Sequence, residues 1–261
     1  MPMPRLTLLA AISLLAGCAA VPRIDTTYTS VSQDSRAQYL VLHYTQGNFL
    51  RSLNTLTVGS VSSHYLVDAD PPTIYRLVDE NRRAYHAGVS SWQGQTQLNA
   101  ASIGIEIVNE GYSDTPTGRV WFDYPKPQID AVIALVKDIV RRHEIRPDRI
   151  VGHSDIAPQR KVDPGPRFPW KQLADAGIIP WPDAAMVAQR LPEYEKTLPD
   201  VEWFQRRLAR HGYAVPFSAA LDEATGRVLA AFQMKYRPAR FDGVPDAETA
   251  AILVVLTTKS Q

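Results

Sequence analysis

Cysteine is all but missing. Cys18 is the only one in 261 residues, so no disulfide can staple the chain and its stability must come from a packed core. Charge of one sign is also lacking. Lys and Arg number 28 against 27 Asp and Glu, a net +1 without the basic excess of a nucleic-acid binder. No internal apolar run reaches the length that crosses a bilayer. What is left is an ordinary globular composition, long enough for one large domain and one small one.

The apolar run that does exist stands at the start. Arg5 is followed by LTLLAAISLLAGCAA, too short to span a membrane and ending in small residues, which is the pattern of a secretory signal. Leu15-Ala16-Gly17-Cys18 resembles a bacterial lipobox, in which the cysteine is lipidated and becomes the mature N-terminus. A plain signal peptide with an incidental cysteine is the alternative, but it leaves a lone thiol in an exported protein without a purpose. The expected order is a signal peptide over 1–17, then lipidated Cys18 and a polar tether through residue 35. Ala19 resembles the residue found there in lipoproteins sent to the outer membrane, so the periplasmic face of that membrane is the expected location.

Short runs of strand formers follow at Tyr39–His43, His64–Asp68, Thr73–Val78 and Ile103–Val108, with Ile150-Val151 as a last one. Between them, Ile129, Val132, Ile133, Val136, Ile139 and Val140 repeat at helical spacing, from a start near Pro127 to an end before Pro147. A shorter helix is expected over Phe49–Val58. These elements predict an α/β (α+β) domain over 36–180, a mixed central sheet flanked by helices. Residues 181–199 are proline-rich and read as a linker. Asp200, Asp222 and Asp246 each precede an apolar helical pattern and can cap it, which predicts a small three-helix domain over 200–257.

The chemistry concentrates in GHSDIAPQRKVDPGPRFPW, residues 152–170. Pro158, Pro164, Pro166 and Pro169 rule out a long regular element, yet His153, Asp155, Lys161 and Asp163 stand close together. A catalytic zinc takes three protein ligands and leaves a position for water. His43 and His153 each end a strand, and Asp163 is far enough along the loop to return to His153. These three could form a two-histidine, one-carboxylate site. Lys161 is two residues before Asp163, so in an extended segment both point the same way, and its ammonium could stabilise an oxyanion. Glu106 is an acid inside the apolar strand SIGIEIV, where burial raises its pKa and a metal lowers it, which suits a general base.

The segments YLVLHYT, SSHYLVD, YHAG, SIGIEIVN and the 152–170 loop, taken together and in order, resemble the type 2 N-acetylmuramoyl-L-alanine amidases, zinc enzymes that share a fold with the peptidoglycan-recognition proteins. The resemblance covers about residues 36–180. It implies zinc on His43, His153 and Asp163, Glu106 as the catalytic acid and Lys161 as the oxyanion cation. Asp163, where other members carry cysteine, places the chain with the AmpD/AmiD branch and its outer-membrane lipoproteins. The implied reaction is cleavage of the amide between the lactyl group of muramic acid and L-Ala. The implied partners are peptidoglycan and its muropeptides, with no nucleic acid. A non-catalytic recognition protein and a zinc peptidase acting within the stem peptide are the rival readings. Thr225, Phe232-Gln233 and Asp242-Gly243-Val244 resemble a three-helix peptidoglycan-binding domain, although Pro245-Asp246 replaces the expected turn glycine. A purely structural appendage is the alternative for these helices.

Other polar residues carry weaker expectations. His143 and His211 lie at helix ends and read as structural, and His64 as a core histidine. His86 reads equally as a substrate contact or a structural residue. Asn109 and Trp92 are candidates to touch glycan or peptide, and Arg83 and Arg167 to meet the substrate's carboxylates. Asp155 is expected to make a loop hydrogen bond that fixes His153.

Overall fold

The computed structural model describes residues 21–258, and the expected signal segment and Cys18 lie outside the described residues. Residues 21–33 carry no helix or strand. The folded unit that begins at Asp34 opens with β1 (Tyr39–Tyr44), α1 (Phe49–Val58), β2 (Tyr65–Val67) and β3 (Ile74–Arg76). A short hairpin of β4 (Ser91–Trp92) and β5 (Gln95–Thr96) precedes β6 (Ser102–Ile107). A second hairpin, β7 (Tyr112–Thr115) and β8 (Gly118–Trp121), leads to α2 (Lys126–His143). Then come β9 (Ile150–Gly152), the single turn α3 (His153–Ile156) and α4 (Trp170–Asp175). The chain closes with α5 (Ala184–Lys196), α6 (Val201–His211), α7 (Glu223–Tyr236) and α8 (Ala247–Thr257).

Five strands form one mixed sheet in the order β3-β2-β6-β1-β9. β6 runs parallel to β1 and β2, β9 runs parallel to β1, and β3 is antiparallel. Side chains alternate between the two faces of a strand. Leu40 and Leu42 of β1, with Ile103, Ile105 and Ile107 of β6, share a core with Ile129, Val132, Val136 and Ile139 of α2. The alternate set, Tyr39 and Val41, faces the other side and joins a core with Phe204, Phe232 and Leu253 of the C-terminal helices. His43 and Glu106 belong to that second face and are register partners. Because β1, β6 and β9 are parallel, their C-terminal ends lie together, which is where open sheets of this kind place ligands.

The three aspartates cap their helices as expected: Asp200 accepts from Trp203 N, Asp222 from Thr225 N and Asp246 from Thr249 N. Their helices, however, belong to the same folded unit as the sheet. The apolar second face of β1 needs a cover, and α3, which packs in turn on α7, closes this core. The proline-rich connector holds a full helix, α5, which continues through Pro192 and packs Tyr194 on Trp203 with ring centroids 5.6 Å apart.

The loop before His86 is tied to the end of α2. Glu80 accepts from Tyr65 Oη at 2.6 Å and from His143 Nε2 at 2.8 Å, and pairs with Arg142. Burial alone would raise this carboxyl, but the hydrogen bonds from Arg142, Tyr65 and His143 outweigh it and bring its pKa down to about 2. A depressed carboxylate stabilises the fold above its unfolded pKa, and that contribution is lost as pH falls through the folded value. The native protein is expected to lose about 1–2 kcal/mol between pH 4.5 and 2 from this site, the full linkage value being reduced for the partial exposure of the pair. Thermal unfolding of the wild type and Glu80→Gln over that range checks it: the variant starts less stable at neutral pH and shows a flatter acid limb.

Candidate active site

The C-terminal ends of β1 and β9 present His43 and His153 side by side. The loop after α3 returns Asp163 to them, because Ser154 N donates to the Asp163 carbonyl at 2.8 Å. Gly165 then turns the chain with a φ of +80°, a conformation open to glycine, while Trp121 packs against it. His43 Nδ1 lies 2.9 Å from His153 Nδ1 and 3.0 Å from Asp163 Oδ2, and His153 Nδ1 is 3.1 Å from the same oxygen. All three side chains are buried.

The protonation states suit a cation at the centre of this triangle. Burial and the neighbouring His153 push His43 down to about 4, against the pull of Asp163, so the ring is neutral at pH 7. Burial would raise Asp163, but His153 and His43 outweigh it and hold the carboxyl ionised. His153 Nε2 lies 3.2 Å from the Ala87 carbonyl and 3.4 Å from Arg160 Nη2. The Arg160 Nη2 hydrogens are spent on the carbonyls of Ala87 and Val89. His153 Nε2 therefore carries the proton and donates to Ala87, which leaves the Nδ1 lone pair facing Asp163. Lone pairs converging on a carboxylate repel one another unless a cation sits between them, and metal ligands must be deprotonated in this way. His43, His153 and Asp163 could hold a metal.

The cleft above the triangle has a volume of about 620 Å³, and its walls include Glu106, Lys161, Arg51, Tyr85 and Tyr112. Glu106 lines the cleft, while its Oε2 is inaccessible and has no hydrogen-bond partner among the described residues. Burial pushes its carboxyl well above the ordinary range, Asp163 pushes the same way, and Lys161 opposes both. A carboxyl, an ammonium and a candidate metal site thus share one cavity.

Four expected substrate contacts are not brought to this cleft. Trp92 is buried, its Nε1 donates to the Asp148 carbonyl at 2.9 Å, and its ring meets Tyr213 at 4.9 Å. It anchors the β4 hairpin to the end of α6. Asn109 spends its amide on the Asp123 carbonyl and Gly111 N. Arg83 lies over the Tyr85 ring at 4.9 Å and donates to its hydroxyl, and Arg167 pairs with Asp123 at 3.6 Å. His86 does reach the cleft floor, but both its ring nitrogens are engaged beneath His43 and beside Ser102. His64 is a core histidine, with Nδ1 accepting from Gly104 N at 3.0 Å. Asp155 accepts from Gly152 N at 2.8 Å, the expected loop hydrogen bond, and also meets α7. Arg51 and Tyr112 were not singled out from the sequence. Neither lies in a motif, and only the folding of α1 and β7 around the cleft gives them a role.

A buried group of two imidazoles and a carboxylate that could hold a metal, with an acid and an ammonium in the adjoining cleft, is the donor set of a hydrolase site. The N-acetylmuramoyl-L-alanine amidase family profile matches residues 33–166, and the peptidoglycan-binding domain profile matches residues 197–253. AmiD of Escherichia coli is 44% identical over 270 residues, covering 97% of this chain and 96% of that protein. The structure of E. coli AmiD with anhydro-N-acetylmuramic acid-L-Ala-D-γ-Glu-L-Lys superposes with a TM-score of 0.81 at 43% identity, over 89% of this chain and 93% of that one. AmpDh3 of Pseudomonas aeruginosa with an anhydromuramic pentapeptide gives a TM-score of 0.82 at 41% identity, over 90% and 97%. The chain belongs to the N-acetylmuramoyl-L-alanine amidase family.

Proposed function

We propose that this amidase cuts the amide between the lactyl group of muramic acid and L-Ala in peptidoglycan, using zinc held by His43 Nδ1, His153 Nδ1 and Asp163 Oδ2. The reading is carried by the three ligand atoms, each within 3.1 Å of the other two, two of which, those of His153 and Asp163, belong to residues that line one cleft with Glu106 and Lys161. Zinc bound there supplies Lewis acidity toward water and the scissile carbonyl. Glu106 takes the proton of the attacking water and returns it to the leaving amine of L-Ala. The Lys161 ammonium faces the oxyanion as it develops. Arg51, on the cleft wall, is the cation set to meet the stem peptide's carboxylates. The muramic peptides bound to AmiD and AmpDh3 support muropeptides as the substrate class.

The catalytic domain is assigned to 36–180, the linker to 181–199 and the wall-binding helices to 200–257. Lipidated Cys18, at the end of the signal over 1–17, anchors the enzyme through the 18–35 tether at the periplasmic face of the outer membrane.

Digestion of purified sacculi with the full chain, followed by mass spectrometry, tests the reaction. Free stem peptides beginning with L-Ala are expected. They should disappear after chelation and return with added zinc. Fragments cut inside the stem, with the muramic acid–L-Ala bond intact, would overturn the reading.

A further inference from the structure

His86 takes no part in the chemistry above, yet it is buried directly behind a candidate ligand. Its Nδ1 lies 3.0 Å from His43 Nε2, and its Nε2 lies 3.2 Å from Ser102 Oγ. The Ser102 hydroxyl hydrogen is spent on the Leu98 carbonyl at 2.6 Å. Ser102 Oγ must then accept from His86 Nε2–H. That leaves His86 Nδ1 without a proton, able only to accept, and His43 Nε2 must donate to it. The His43 proton is thereby fixed on Nε2, and its Nδ1 lone pair points at His153 and Asp163.

The strand beside this chain is built to admit it. Ser102, Gly104 and Glu106 alternate along β6 and so share a face. Ser102 receives the His86 proton and Glu106 reaches the cleft. Between them, Gly104 leaves space for the imidazole: a Cβ there would lie 2.5 Å from His86 Cγ. The backbone of the His86 loop is held as well, since His86 N and Ala87 N both donate to Asn99 Oδ1, at 3.0 and 2.7 Å.

We propose that His86 and Ser102 are positioning residues for the metal centre, joined to His43 in a one-directional hydrogen-bond chain, ending on the Leu98 carbonyl, that holds His43 in the tautomer a metal ligand requires. The inference rests on the metal reading of His43, His153 and Asp163. Zinc affinity of the full chain, measured by competition with a chromophoric chelator, tests it. His86→Leu is expected to bind zinc roughly 10–100-fold more weakly than wild type, the usual cost of removing a partner behind a ligand. His86→Asn retains an acceptor close to the Nδ1 position and should recover most of that loss, whereas a role in packing alone predicts no such rescue. Ser102→Ala, a smaller change, should weaken binding about 10-fold and carries the test if His86→Leu does not fold. Wild-type affinity in His86→Leu or in Ser102→Ala overturns the inference alone. A wild-type protein that binds no zinc overturns the metal reading, and the inference with it.

Discussion

Glu106→Gln is expected to lower kcat about 10²–10⁴-fold, the range general acid–base catalysis supplies, with KM for a muropeptide little changed and zinc still bound. Glutamine keeps the shape of the side chain on β6 and removes only its ability to carry a proton. Substrate binding and metal binding therefore stay, and the proton transfers are lost. The environment sharpens the expectation. Burial pushes the Glu106 carboxyl well above its ordinary range, aided by Asp163 and opposed by Lys161. A base must be ionised to act, so kcat/KM should fall as pH drops through the Glu106 pKa. That acid limb should be absent from the residual activity of the variant. Steady-state kinetics on a defined muropeptide, with zinc content measured on the same samples, decide the matter. Unchanged turnover would remove Glu106 from the reaction.

Breaking the Asp155–Lys235 pair should produce the largest loss of stability. Lys235 Nζ of α7 lies 2.8 Å from Asp155 Oδ2, and the two side chains are 5% and 1% exposed. The ammonium also sits 4.2 Å from the centre of the Trp170 ring. Asp155 Oδ1 accepts from Tyr213 Oη at 2.5 Å, and Oδ2 from Gly152 N at 2.8 Å. Truncating one partner leaves the other charge in a dry interior, at a cost of about 3–5 kcal/mol. Lys235→Ala is expected to lower Tm by about 10 °C. The double variant Asp155→Asn with Lys235→Met, which buries no charge, should lie much closer to wild type, since the penalty comes from an uncompensated charge. Asp155 stands two residues after His153, so Lys235→Ala should weaken metal binding as well. Thermal unfolding of the three proteins checks the first point. A loss below about 1 kcal/mol in Lys235→Ala would show that the pair is solvated in solution.

Reading the sequence went furthest where the signal is local. The run YLVLH is a strand because Tyr39 and Val41 stand in an unbroken apolar run, and the structure places it inside the sheet between β6 and β9. The apolar stripe of α2 and the aspartates before α6, α7 and α8 follow from helical periodicity and from unsatisfied N–H groups at a helix start. Both are properties of neighbouring residues. The family motifs singled out Glu106, His153, Lys161 and Asp163, which share one cleft, and His43, which touches two of them, because chemistry restricts which side chains can serve and in which order they recur.

The expectations that depended on direction fared differently. Trp92 and Asn109 read from the sequence as turn residues, aromatic and polar, which describes a substrate contact and a structural anchor equally well. In the structure the Trp92 ring is turned inward against the end of α6. The Asn109 amide bonds the Asp123 carbonyl and Gly111 N. His86 gave no hint of its partners, since His43 and Ser102 reach it only through the pairing of β1 with β6.

What the residues alone determine is the set of chemical groups and the elements that carry them: two imidazoles at strand ends, an acid within a strand, and a carboxylate and an ammonium two positions apart. What the tertiary structure decided is which lone pairs meet. The parallel order of β1, β6 and β9 brings three strand ends together, and α3, itself packed on α7, covers the apolar half of the same face. Strand order and helix docking arise from contacts between residues far apart in the chain, and a one-residue change of register would turn His43 or Glu106 to the opposite face.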